Sequence, residues 1–97
     1  MHPLRDDGAR AARAAEIVKA LAHPERLRVA AALCAGEAGV AELSARLDLP
    51  RARVARHLAP LVAARLVAAS PGSGEPRYRV AEPALHGLVA CMEDCSR

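Results

Sequence analysis

The chain has 97 residues, enough for one domain, and its 53% apolar fraction holds no Phe or Trp and a single Tyr. Much of that fraction is Ala, and a chain this short buries only about 60–65% of the surface its unfolded form exposes, so further burial against a second copy is expected. Fourteen Lys and Arg against eleven Asp and Glu give a net charge of +3, a balance that suits nucleic acid, and no apolar run approaches the ~20 residues of a membrane span.

Residues 1–8 read as a polar arm and 9–97 as one folded domain. From Ala9 to Ala22, Ala14, Ile17, Val18 and Leu21 recur at helical spacing. His23-Pro24 ends that helix, because the residue before a proline avoids the helical region, and Pro24 opens the next. This second helix carries Leu27, Ala30, Leu33 and Cys34 on one side and stops at Gly36.

Val40, Leu43 and Leu47 define a short third helix. Asp48-Leu49-Pro50 breaks it, Asp being tolerant of a left-handed backbone. A fourth helix follows from Arg51 to about Arg65, striped by Val54, Leu58, Leu61 and Val62. Two short helices around a tight turn are the outline of a helix-turn-helix.

After Leu66 the period changes. Ser70-Pro71-Gly72-Ser73-Gly74-Glu75-Pro76 is a dense turn cluster, and Arg77-Tyr78-Arg79-Val80 alternates as a half-exposed strand does. This is a hairpin with a long tip. Pro83 then opens a fifth helix striped by Leu85, Leu88, Val89 and Met92. The order α-α-α-α-β-β-α describes a mainly helical winged helix-turn-helix domain with a small β-hairpin wing.

The arginines follow this plan. At 100° per residue, Arg53 and Arg56 fall opposite the fourth-helix stripe, Arg51 starts the helix, and His57 lies at its edge. A helix fits the major groove, where Arg donates two hydrogen bonds to guanine. Arg77 and Arg79 share one face of the hairpin strand and point the wing toward the DNA backbone or minor groove. The six candidate DNA contacts are therefore Arg51, Arg53, Arg56, His57, Arg77 and Arg79. The partner this implies is double-stranded operator DNA.

Ala20-Leu21-Ala22-His23-Pro24-Glu25-Arg26-Leu27-Arg28 resembles the opening signature of the ArsR/SmtB family of bacterial repressors. Val40-Ala41-Glu42-Leu43, Leu47-Asp48-Leu49-Pro50, Val54, His57-Leu58 and Tyr78-Arg79-Val80 continue it in order, over about residues 14–95. The resemblance implies a homodimer joined by its first and last helices and a repressor released from its operator by an inducer. It places DNA contacts at positions matching Arg51, Ala52, Ala55 and Arg56. Ala52 and Ala55 stand where the family usually has Ser or Thr, and Pro60 stands where it carries a helix former.

The family's cysteine site in the third helix has no counterpart, since Gly39–Ser44 contains no Cys. Of its four-ligand zinc site between last helices, Glu82 and Cys95 match two positions while Ala84 occupies a third. The remaining candidates are Cys91 and Cys95, four apart on the last helix, with Cys34 on the second. Paired thiolates suit a soft ion, and a third would make a trigonal site for As(III), Cd²⁺ or Zn²⁺. Packing is the competing role for all three cysteines, and for Cys34 the favoured one. Glu93 and Asp94 raise nearby thiol pKa values by like-charge repulsion, which favours metal over redox sensing. His23 reads as a cap or packing residue at a helix junction and His86 as a solvated one.

Met1 to Arg13 lacks the apolar centre of a signal peptide, and three cysteines do not make a disulfide scaffold, so the cytoplasm is the expected compartment. No Ser/His/Asp set, phosphate-binding glycine loop or apolar carboxylate pair argues for an enzyme. Two alternatives stay open. One is the same DNA-binding fold without a metal response, thiol-controlled or constitutive. The other is a dimerisation or protein-interaction module that no longer binds DNA.

Overall fold

The computed structural model describes residues 3–97; Met1 and His2, the start of the expected arm, lie outside the described residues. A 3-10 turn at Leu4–Asp6 precedes α1 (Gly8–Leu21). This helix begins one residue earlier than the spacing predicts, because the Asp7 side chain caps it by accepting from the Arg10 N–H at 3.1 Å. His23 caps α2 (Pro24–Cys34) the same way, its Nδ1 accepting from the Glu25 N–H at 3.1 Å. The capping role expected of His23 is thus found.

The helix-turn-helix pairs α3 (Val40–Leu47) with α4 (Arg51–Ala63). Asp48 sits left-handed at φ 55°, ψ 50°, and the Leu49 N–H reaches back to the Ser44 carbonyl at 3.1 Å. The sharp turn rests on that one backbone conformation. Helix α4 ends in the same motif: Arg65 has φ 63°, with Arg65 N–H on Val62 O and Leu66 N–H on Leu61 O, both 3.0 Å. Pro60 does not stop the helix, which continues to Ala63. The Arg56 carbonyl simply lacks the N–H that a residue other than proline would supply.

The wing has one strand more than the sequence suggests. Strands β2 (Val67–Ser70) and β3 (Arg77–Val80) form the expected hairpin, and β1 (Ala38–Gly39) joins the far edge of β3 in the order β1-β3-β2. All pairs are antiparallel, with Gly39 opposite Arg77 on one side and Ser70 opposite Arg77 on the other. The extra strand ties the wing to the start of α3. At the hairpin base the buried Leu66 carbonyl accepts from Ala81 N–H at 2.9 Å.

Helix α5 (Ala84–Cys95) returns to pack on α2. One core runs through all these elements, built on Val29 and Leu33 of α2, Leu43 of α3, Val54, Leu58 and Leu61 of α4, Leu66 and Val67 at the wing base, and Leu85 of α5. It is an aliphatic core, and among the described residues the imidazole of His57 is its one buried aromatic ring. No helix among the described residues is long and apolar enough to cross a membrane.

Candidate nucleic-acid interface

The buried stripe of α4 is Val54, His57, Leu58 and Leu61. With Arg51 at zero and 100° per residue, these span about 240° to 340°. Val62, at about 20°, was expected inside the stripe; it is instead 39% exposed. His57 takes the place on the other flank and is only 4% exposed. It is therefore not an edge residue facing DNA, and that placement is corrected. The rotation follows from polarity: a histidine can enter a core when a partner satisfies its ring N–H.

That partner is Glu25 in the first turn of α2. Its Oε1 lies 3.1 Å from His57 Nε2, and its Oε2 accepts from Arg53 Nη1 at 3.0 Å. The bond from His57, and then the Arg53 guanidinium, hold the Glu25 carboxyl below its ordinary pKa. Arg53, expected on the open face, is exposed, but its guanidinium is engaged with Glu25 of the protein's own α2.

Beside the engaged Arg53, the exposed face of α4 presents Arg51, Ala52, Ala55, Arg56 and Ala59. The side chain of neither Arg51 nor Arg56 makes a hydrogen bond or ion pair within the described residues. Ala52 and Ala55 floor a shallow groove toward the wing, bordered by Arg51, Val40, Glu75 and Pro76. Small side chains there leave the backbone open to close approach.

The two wing arginines separate. Arg77, on the central strand, binds Glu37 Oε1 through Nε at 2.9 Å, the Glu37 carbonyl through Nη2 at 3.0 Å, and the Glu42 carboxylate through Nη1. Glu42 also accepts from the Gly39 N–H at 3.3 Å. Arg77, and then the Gly39 N–H, lower the Glu42 pKa. Arg77 was expected to reach DNA; here it clamps the wing to α3. Arg79 donates only to the neutral Ser70 hydroxyl, at 3.0 Å, and keeps its charge unopposed.

Away from this face, Cys91 and Cys95 lie one turn apart on α5, and the Cys91 sulfur, as acceptor for the Cys95 thiol and then as a like charge, pushes the Cys95 pKa up. Both are exposed. Cys34 is half-buried and packs on the core; burial, then the charge of Glu93, raises its pKa. The described residues of one chain do not bring the three thiols together as a metal-sized cluster. On the same side, Ile17, Val18 and Leu21 of α1 form an apolar groove with Leu27, Leu88 and Met92. Within it Val18 is 65% and Leu88 38% exposed.

Some of this network has no signal in the sequence. Glu25 attracts no notice as one acid in a helix's first turn, and the carboxylates that hold Arg77 lie 35 and 40 residues away in the chain.

Comparison with known proteins accords with this geometry. Residues 23–69, from His23 into β2, match the bacterial regulatory protein, arsR family. The biofilm growth-associated repressor of Agrobacterium fabrum is 35% identical over 83 residues, covering 86% of this chain and 71% of the relative. The transcriptional repressor BigR from Xylella fastidiosa superimposes with a TM-score of 0.86 at 26% identity, over 97% of this chain and 96% of that one. A homodimeric winged helix-turn-helix DNA-binding domain, Mb0332 from Mycobacterium bovis, gives a TM-score of 0.80 at 25% identity, over 92% and 82%. A two-helix reader, a strand-anchored wing and these likenesses together place the chain in the ArsR family of bacterial regulatory proteins, DNA-binding transcription regulators of winged helix-turn-helix fold.

Proposed function

We propose that this protein is a homodimeric repressor that grips operator DNA with Arg51 and Arg56 of α4 and with Arg79 of the wing. One observation carries the reading: these are the arginines of the two elements left without a carboxylate partner, while Arg53 and Arg77 are spent on the fold. Arg51 and Arg56 stand in the first two turns of the second helix of the helix-turn-helix, the part that enters the major groove in this motif. Its place of work is the cytoplasm, where the chromosome lies.

The second copy covers the apolar groove between α1 and α5. Val18 and Leu88 are too exposed for a core this lean, and the Mb0332 domain is described as homodimeric. The inducer is a thiophilic ion taken by Cys91 and Cys95, both exposed and one turn apart on α5; Cys34 supports the core. An ion at the end of α5 shifts the angle between the two copies, a coupling of order 1–3 kcal/mol.

The test is fluorescence anisotropy of the purified protein on the DNA upstream of its own gene, across a salt series. Sequence-selective, salt-sensitive binding by a dimer is expected. Failure to prefer that DNA, or any duplex isolated by selection, over random sequence overturns the reading.

A further inference from the structure

His23, Glu25 and His57 meet where the start of α2 touches α4, and one donor atom from each lies within 4.8 Å of the others. The imidazoles lean together with ring centroids 4.5 Å apart and planes tilted by 49°. Two imidazoles and a carboxylate are the ligand set of zinc centres that keep an open fourth position. We propose that this cluster is a binding site for one divalent ion of the Zn²⁺, Co²⁺ and Ni²⁺ class.

Three features support a site over a chance grouping. His57 is only 4% exposed, so the core around it fixes the position of its ring. Glu25 Oε1 already lies 3.1 Å from His57 Nε2, a separation at which both atoms can hold one ion that takes the place of the proton between them. His23 is exposed, which gives an ion a route in and leaves room for water to complete its shell.

The opposing charge is Arg53, whose guanidinium shares the Glu25 carboxylate. A bound dication competes for that carboxylate and repels the guanidinium. Arg53 is half exposed and can swing outward, so occupancy of the cluster changes how many free cations α4 presents. The site shares no residue with the cysteine pair of α5, which takes softer ions.

The experiment is a titration of the full chain carrying Cys34→Ser, Cys91→Ser and Cys95→Ser with Zn²⁺, followed by calorimetry and by the imidazole signals in ¹H–¹⁵N spectra. One ion per chain is expected, with His23 and His57 resonances shifting together. His23→Asn removes the ring but keeps a side-chain oxygen that can cap α2, so the fold is retained. It should weaken Zn²⁺ at least about 10-fold, and Glu25→Gln should do the same. Absence of binding in the cysteine-free protein overturns the proposal, as does binding that His23→Asn and Glu25→Gln both leave unchanged. DNA binding plays no part in either readout.

Discussion

Glu25 Oε1 lies 3.1 Å from His57 Nε2, joining the first turn of α2 to the buried side of α4. The other oxygen of the same carboxylate holds Arg53 at 3.0 Å. One acid thus satisfies the core's histidine and decides which arginine of the reading helix is withheld from DNA. Losing it frees a cation and strands a ring at once.

The acid limb of stability follows from Glu25 and from Glu42. Both carboxyls are held below their ordinary value of 4.5. The folded chain therefore binds fewer protons there than the unfolded one. Their contribution is complete above that value and drains away as pH falls through the lowered pKa values. Melting curves from about pH 6 to pH 3 should show Glu25→Gln losing less stability on acidification than wild type. Parallel pH dependence in the two proteins would contradict the network.

Arg65 holds the left-handed position after α4 at φ 63°, a place glycine fills at little cost. Replacing it by glycine removes roughly 1 kcal/mol of backbone strain, partly offset by the freedom glycine has when unfolded. Arg65→Gly should raise the urea midpoint without altering its slope. A lower midpoint would mean that the Arg65 side chain does something its surroundings do not reveal.

Leu88 and Val18 mark the face assigned to the second copy. Leu88→Glu places a carboxylate of each copy against an apolar surface and near its own twin, which costs several kcal/mol. Sedimentation should show a monomer with its helices retained. A persistent dimer moves the interface elsewhere.

The cysteine pair makes a separate prediction. As(III) or Cd²⁺ should release wild-type protein from its DNA and raise thiolate absorption. Cys91→Ser with Cys95→Ser should stay bound, while Cys34→Ser still responds. Equal release in all three proteins removes the thiols from sensing.

How far the sequence reached depends on range. Local rules place Asp48's left-handed turn, the start of α4 at Arg51, and the His23 cap correctly, because each is decided within a few residues. The two-residue strand β1 is invisible locally, since Ala38 and Gly39 become a strand only by meeting Tyr78 and Arg77. The same limit misplaces His57. Hydropathy puts Val62 in the stripe and histidine at its edge, but Glu25, 32 residues away, makes the histidine buriable and turns the helix by part of a face. Arg77 reads as a DNA contact for the same reason: its carboxylate partners, Glu37 and Glu42, flank the strand that local rules do not reveal.

The central claim is that Arg51 and Arg56 carry the grip. Its most direct test is the slope of log binding constant against log salt for wild type and for Arg51→Ala with Arg56→Ala. The account predicts weaker binding and a slope shallower by about 0.9 for each phosphate no longer neutralised, with Arg77→Ala keeping the wild-type slope. If the double variant keeps affinity and slope while Arg77→Ala loses both, the wing rather than α4 holds the DNA, and the account is wrong.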